Sequence, residues 1–342
     1  MLGVRSVWTV VWAGVWAAAC KGEAGPAGVD AGPGEVGVAD EGLEASVDGA
    51  ALDSPEPTGC AVCAVWGEVG RGPPVQGDHL VEISGIAESR RRPGLYWVHN
   101  DSGDRARVFA LDAEGRTRAE VALEGAAGVD LEDLAVGPCG ASTCVFVGDV
   151  GDNNRRRTDC AVLRFDEAVL DRLEADPSVT ARLSVRPMAM PLRYPDGPRD
   201  AEALVVDPGT GRFGIISKEP TGPSGVYLQP SEAGSDGVFV LERAGSLTVP
   251  AGAVSLVTGA DWHPCAPRIV VRTYDRVLEY VGAPGDGLGA IAGGVPTVLA
   301  SAREIQGESV GWSVDGRGYF TISEGRAQPL RLTRCVQTTG RR

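Results

Sequence analysis

The chain has 342 residues, with 46 Asp and Glu against 32 Lys and Arg, a net charge of −14, and eight cysteines. That balance excludes a protein that grips nucleic acid through a basic surface. At 43% hydrophobic residues it also excludes a chain disordered throughout, although the acidity is unevenly spread.

At the N-terminus Arg5 precedes an uncharged apolar run from Val7 to Ala19, which is too short to span a bilayer comfortably. Residues 1–20 therefore read as a cleavable signal peptide. Ala17, Ala18 and Ala19 ahead of Cys20 resemble the lipobox of bacterial lipoproteins, which usually carries Leu where Ala17 stands. The resemblance implies lipidation of Cys20, with a membrane as partner through that N-terminal lipid. The alternative is an ordinary secretory peptide cut at an A-x-A site. Both readings export the protein, and the first holds it at the outer face of a bacterial membrane, periplasmic or cell-surface.

Residues 21–58 are Gly, Ala, Pro, Asp and Glu with few large apolar side chains, so they cannot bury enough surface to offset the entropy of ordering. They read as a disordered acidic tether. Nine acids against Lys21 leave this segment at −8, so the acidity of the whole chain is mostly a solvated spacer. The remaining 59–342 is long enough to bury roughly three quarters of its unfolded surface in one body.

In 59–342 short runs of Val, Ile, Leu, Tyr and Trp alternate with Gly, Asp and Pro turns, the pattern of an all-β chain. Only 168–175 reads as a short helix, in a connection. One motif recurs five times: an acid, a small or apolar stretch, a turn, and a second apolar strand with a polar end. The copies begin with EISGIA, DLEDLAV, DAEALVV, GADW and GESVGW. They are followed by LYWVHN, CVFVGD, FGIISK, RIVVR and GYFTIS. The acids taken as equivalent are Glu82, Glu132, Glu202, Asp261 and Glu308, at spacings of 50, 70, 59 and 47 residues. Such spacing suits β-propeller blades of up to four strands. Five blades follow, or six if the long second copy contains a degenerate one. The strand-like 61–69 near the start is placed to complete the last blade and close the ring.

The phrases EISGIA, WVHNDSGD, VDLEDLAV, GDVGDNN, YPDGPRDAEAL and IQGESVGW resemble exported bacterial propellers related to phytase-like and esterase-like propeller proteins. More distantly they are similar to gluconolactonase and strictosidine-synthase propellers. In a propeller the leading acids and the second-strand ends converge at one face. Crowded carboxylates repel unless a cation or a raised pKa relieves them, and Ca²⁺ is the matching hard cation. The gluconolactonase-like resemblance implies one calcium among Glu82, Glu132, Glu202, Asp261 and Glu308. The competing reading has each acid accept backbone N–H bonds and fix the ring without metal.

Lys218, the one lysine of 59–342, and Arg272 fall at expected mouth-facing ends and, with a metal, could hold a phosphate or other anion. Each could equally balance a neighbouring acid. His99 lies at another such end, more as a packing residue than a general base. Two functions follow: a lipid-anchored envelope module binding an unknown small molecule or protein at the propeller mouth, or a calcium-dependent hydrolase of phosphate or carboxylic esters.

Cysteines of an exported chain favour disulfides. Cys139 and Cys144 flank a tight hairpin and suit a bridge. Cys335 ends the last strand and should bond Cys60 or Cys63, with Cys265 taking the other. Cys160 is then the odd thiol.

Overall fold

Residues 59–250 and 256–339 are described by a computed structural model, and they form five β-sheets arranged as a five-bladed β-propeller. The proposed signal peptide, Cys20 and the tether lie outside the described residues. Blade one comprises Ile83–Glu88, Leu95–Asn100, Arg107–Asp112 and Thr117–Leu123 from the axis outward. Blade two comprises Leu131–Cys139, Ser142–Asp149, Ala161–Asp166 and Met188–Arg193. Blade three has Ala201–Val206, Phe213–Ser217, Ser224–Leu228 and Glu242–Leu247, and blade four Val257–Trp262, Arg268–Thr273, Val277–Val281 and Thr297–Leu299. Blade five takes Gly307–Trp312, Gly318–Ser323 and Pro329–Thr338 from the end of the chain, and its outer strand Cys63–Pro74 from the start.

That antiparallel pairing of Cys63–Pro74 with Pro329–Thr338 closes the ring, as the sequence predicts. Two disulfides reinforce the seam, Cys63 to Cys335 inside the blade and Cys60 to Cys265 in the first turn of blade four. Trp66 packs there with its ring centroid 5.7 Å from Trp312 and 5.0 Å from Tyr319. Cys139 bonds Cys144 across its hairpin, and Cys160 is a buried thiol.

No sixth blade hides in the long second copy. Its extra length is the 3₁₀ helix Glu167–Arg172, where the sequence reads a short helix, and the strand Ala181–Val185, which adds in parallel to the outer edge of blade one. Phe239–Val240 covers the edge of blade two in the same way, and the helix Leu288–Ala292, which the sequence reading does not anticipate, packs on blades three and four. Added strands of this kind occupy edge groups that would otherwise template foreign pairing.

Alternate side chains of each blade face opposite neighbours, and both faces are covered. Val145 and Val147 pack toward blade one while Phe146 packs toward blade three. This explains why the strands read as continuous apolar runs instead of polar–apolar alternation. The core is accordingly five apolar layers, one between each pair of neighbouring blades. Each fully buried Val, Leu or Phe contributes roughly 1.5–3 kcal/mol.

Carboxylates and hydroxyls staple the inner strands. Asp133, fully buried, accepts the backbone N–H groups of Leu134 (2.8 Å), Leu204 (2.9 Å) and Ala260 (3.1 Å), linking blades two, three and four. Asp261 accepts those of Trp262 and Trp312, both at 2.8 Å, linking blades four and five. Glu88 accepts the N–H of Val314 at 2.9 Å, linking blade one to blade five.

A carboxylate-rich candidate site at the propeller mouth

The strand register defines the site. The last residues of the second strands are Asn100, Asp149, Ser217, Thr273 and Ser323, paired with Ile83, Leu131, Ala201, Val257 and Gly307. Immediately after each of those partners the inner strand carries one extra residue, a β-bulge that re-aims a side chain. The bulged positions are Ser84, Glu132, Glu202, Thr258 and Glu308. Ser84 and Thr258 spend their hydroxyls on the next blade, donating to the carbonyls of Glu132 and Gly307. The other three are carboxylates.

Two further positions complete the mouth. Residues just before the inner strands are Glu82, Asp130, Asp200, Leu256 and Gln306, and those just after the second strands are Asp101, Val150, Lys218, Tyr274 and Glu324. Asp101, Asp130 and Glu132 offer oxygens all within 4.8 Å of one another, as do Glu132, Asp200 and Glu202. The two groups share Glu132. Gly151 makes room for them, because a Cβ there would overlap Glu132 Oε1 and Asp130 Oδ2.

Hydrogen bonding at the mouth is uneven. Asp200 accepts the N–H of Asp152 at 3.0 Å, and Asp101 accepts that of Ser102. Glu202 accepts from Lys218 Nζ, which also donates to Tyr274 Oη at 2.8 Å. Glu132 is only 3% exposed, yet neither its carboxylate nor that of Asp130 receives a hydrogen bond among the described residues. Burial, then the charges of Glu202, Asp101 and Asp130, push the Glu132 carboxyl well above its ordinary value. Burial followed by the Asp101 charge raises Asp130 to about 6, and burial raises Glu308 to about 7. For Lys218 burial works against the charge, but Glu202 and Tyr274 outweigh it and hold the ammonium above its ordinary value.

This arrangement differs from the ring of five acids read from sequence. Glu132, Glu202 and Glu308 occupy equivalent bulges. Glu82 is exposed and stands two residues earlier, at the position of Asp130 and Asp200. Asp261 lies three residues past Thr258, about 10 Å along the strand, with both oxygens committed to backbone N–H groups. The register frame set by the bulges separates them. Lys218 does stand at the mouth, its side chain 13% exposed. Arg272 and His99 occupy the place before the second-strand end, so the alternation of the strand turns both into the layers between blades. Arg272 is buried with Glu304 at 2.8 Å and lies over Gly307, whose missing Cβ makes the space. His99 is fully buried, and burial lowers its pKa to about 4, leaving a neutral ring unsuited to mouth chemistry.

The sequence reading has Asp101 and Tyr274 among the second-strand ends at this face and Asp130 and Asp200 at the heads of two copies, but counts none of the four among the candidate site residues. A signal for two of them was present: Asp-x-Glu opens both the second and the third copy, as Asp130-Leu131-Glu132 and Asp200-Ala201-Glu202.

No protein-family model and no curated protein sequence matches the chain. Among solved structures, the PQQ-bound form of aldose sugar dehydrogenase from Streptomyces coelicolor is similar at 13% identity and a TM-score of 0.45, over 80% of this chain and 99% of that one.

Proposed function

We propose that the mouth is a divalent-cation site of the calcium class, through which the propeller binds an oxygen-rich ligand. The observation that carries this reading is Glu132, a buried carboxylate without a hydrogen-bond donor at the junction of two oxygen triads. A carboxylate crowded by the charges of Glu202, Asp101 and Asp130 is relieved by a cation, and the oxygens around it are the hard ligands that Ca²⁺ takes six to eight at a time. Asp101, Asp130, Glu132, Asp200 and Glu202 would hold the ion. Lys218 and Tyr274 stand beside it as donors to an anionic or hydroxylated ligand. That pair also supports a second reading, hydrolysis of phosphate or carboxylic esters, since a cation and a phenol beside bound metal suit charge stabilisation.

The proposal keeps the protein exported and tethered through lipid on Cys20, which accords with three disulfides in 59–342. The described residues contain no helix long and apolar enough to cross a membrane.

Melting curves with calcium and with chelator test the cation, because a ligand of the native state alone stabilises by mass action. Calcium should raise the melting temperature of the parent, and Glu132→Gln should lose that increment while folding normally. Identical parent curves in both conditions would falsify the site. Turnover of a chromogenic phosphate monoester or lactone, lost in Glu132→Gln, would select the hydrolase reading over binding alone.

A further inference from the structure

The two oxygen triads of the mouth share Glu132 but are not served alike. Among the described residues no ammonium or guanidinium bonds to Asp101, Asp130 or Glu132, whereas Glu202 of the other triad accepts from Lys218 Nζ.

The backbone roots the lysine at that second triad. Its N–H donates to the Asp200 carbonyl at 2.9 Å, so the side chain leaves the strand end directly beside Asp200. Arg155 holds the next peptide, donating to the Lys218 carbonyl at 3.3 Å while pairing with Glu219 at 2.8 Å. This clamp comes at a cost, because Arg155 adopts a φ of 51°, in the left-handed region that residues other than glycine seldom occupy. From this root the ammonium reaches across to Tyr274 Oη, which follows the second strand of blade four, at 2.8 Å. Burial raises the carboxyls of Asp101, Glu132, Glu308 and Glu324, and the Lys218 charge draws each of them back down. The one lysine of 59–342 thus stands as a compact point charge among carboxylates, the side-chain counterpart of a metal ion.

On the divalent-cation reading of the mouth, on which this rests, we propose that Lys218 is a built-in second cation. Its ammonium takes the place that another divalent ion would occupy beside Asp200 and Glu202, so the mouth admits one such ion where its carboxylates could hold two. Glu132 has two oxygens and could bridge a pair of ions, as carboxylates do in two-metal sites. An ion beside Glu202, however, would need the lone pairs that the ammonium already uses, and the two positive charges would repel. Glu202 and Tyr274 engage two of the three ammonium donors, which leaves the third for an anionic group of the ligand.

Counting bound calcium by equilibrium dialysis and calorimetric titration of the full-length protein tests this. The parent should bind one calcium at the mouth, and the neutral variants Lys218→Met and Lys218→Gln should each bind two. Adding Glu202→Gln to Lys218→Met should return the count to one. Near-UV circular dichroism checks that each variant is folded, and either neutral variant suffices for the count. A parent that already binds two, or folded neutral variants that still bind one, would overturn the role of Lys218 and leave the cation site standing. A parent that binds none beside neutral variants that bind one would do the reverse, removing the cation from the native mouth while confirming that the ammonium stands in its place. No calcium in any of them would remove both.

Discussion

Glu132 and Asp133 are neighbours in one strand with opposite tasks, and the difference lies in their donors. Asp133 has three backbone N–H groups and joins three blades, whereas the Glu132 carboxylate has none among the described residues. Asp133→Asn would turn an NH₂ group toward those N–H donors, leaving buried groups unsatisfied. A loss on the order of 3 kcal/mol in denaturant unfolding is expected, with or without calcium. A variant as stable as the parent would show that Asp133 does not staple the ring. The mouth acids also predict a pH dependence. Asp130 at about 6, Glu308 at about 7 and the raised Glu132 hold protons in the folded protein that the unfolded chain has already released. Stability of the cation-free protein should therefore fall as pH rises from about 5 to about 8, and bound calcium should flatten that slope. Melting at a series of pH values in chelator reads this directly. A rise over the same window contradicts it.

The elements explain why the copies could be found in sequence but not aligned correctly. Runs such as Leu95–Asn100 and Gly318–Ser323 are strongly β-forming and bounded by turns, so their existence was legible. The bulge in each inner strand was not, because an extra residue leaves no mark on composition. It shifts the frame, and this put Glu82 and Asp261 into a ring that contains Ser84 and Thr258. Aligning the copies on the polar ends Asn100, Asp149, Ser217, Thr273 and Ser323 recovers the right frame. The closing blade offers a test at the same scale. Cys63 and Cys335 are 272 residues apart and Cys139 and Cys144 only five, so loop entropy assigns up to about 5 kcal/mol to the first bridge and about 2 kcal/mol to the second. Replacing Cys63 and Cys335 by Ser should lower the melting temperature more than replacing Cys139 and Cys144. The Cys60 to Cys265 bridge, which holds the same seam, should keep the first variant folded. Equal losses would show that the seam is held by strand pairing and the Trp66 contacts instead.

For the molecule as a whole, anchoring is the outstanding expectation. In cell fractionation the parent should sediment with membranes, whereas Cys20→Ser should leave an unprocessed precursor or release a soluble form; equal sedimentation would remove the lipid anchor. The determinants of the molecule divide along a physical line. The all-β ring, its closure by the first strand and the odd Cys160 could be read from the sequence, because each rests on local composition, short-range periodicity or the order of segments along the chain. Tertiary structure decided which carboxylates meet and that Arg272 and His99 turn into the layers between blades. Those outcomes depend on register and on contacts between blades, where one bulged residue changes the face a side chain presents and no local pattern records the change.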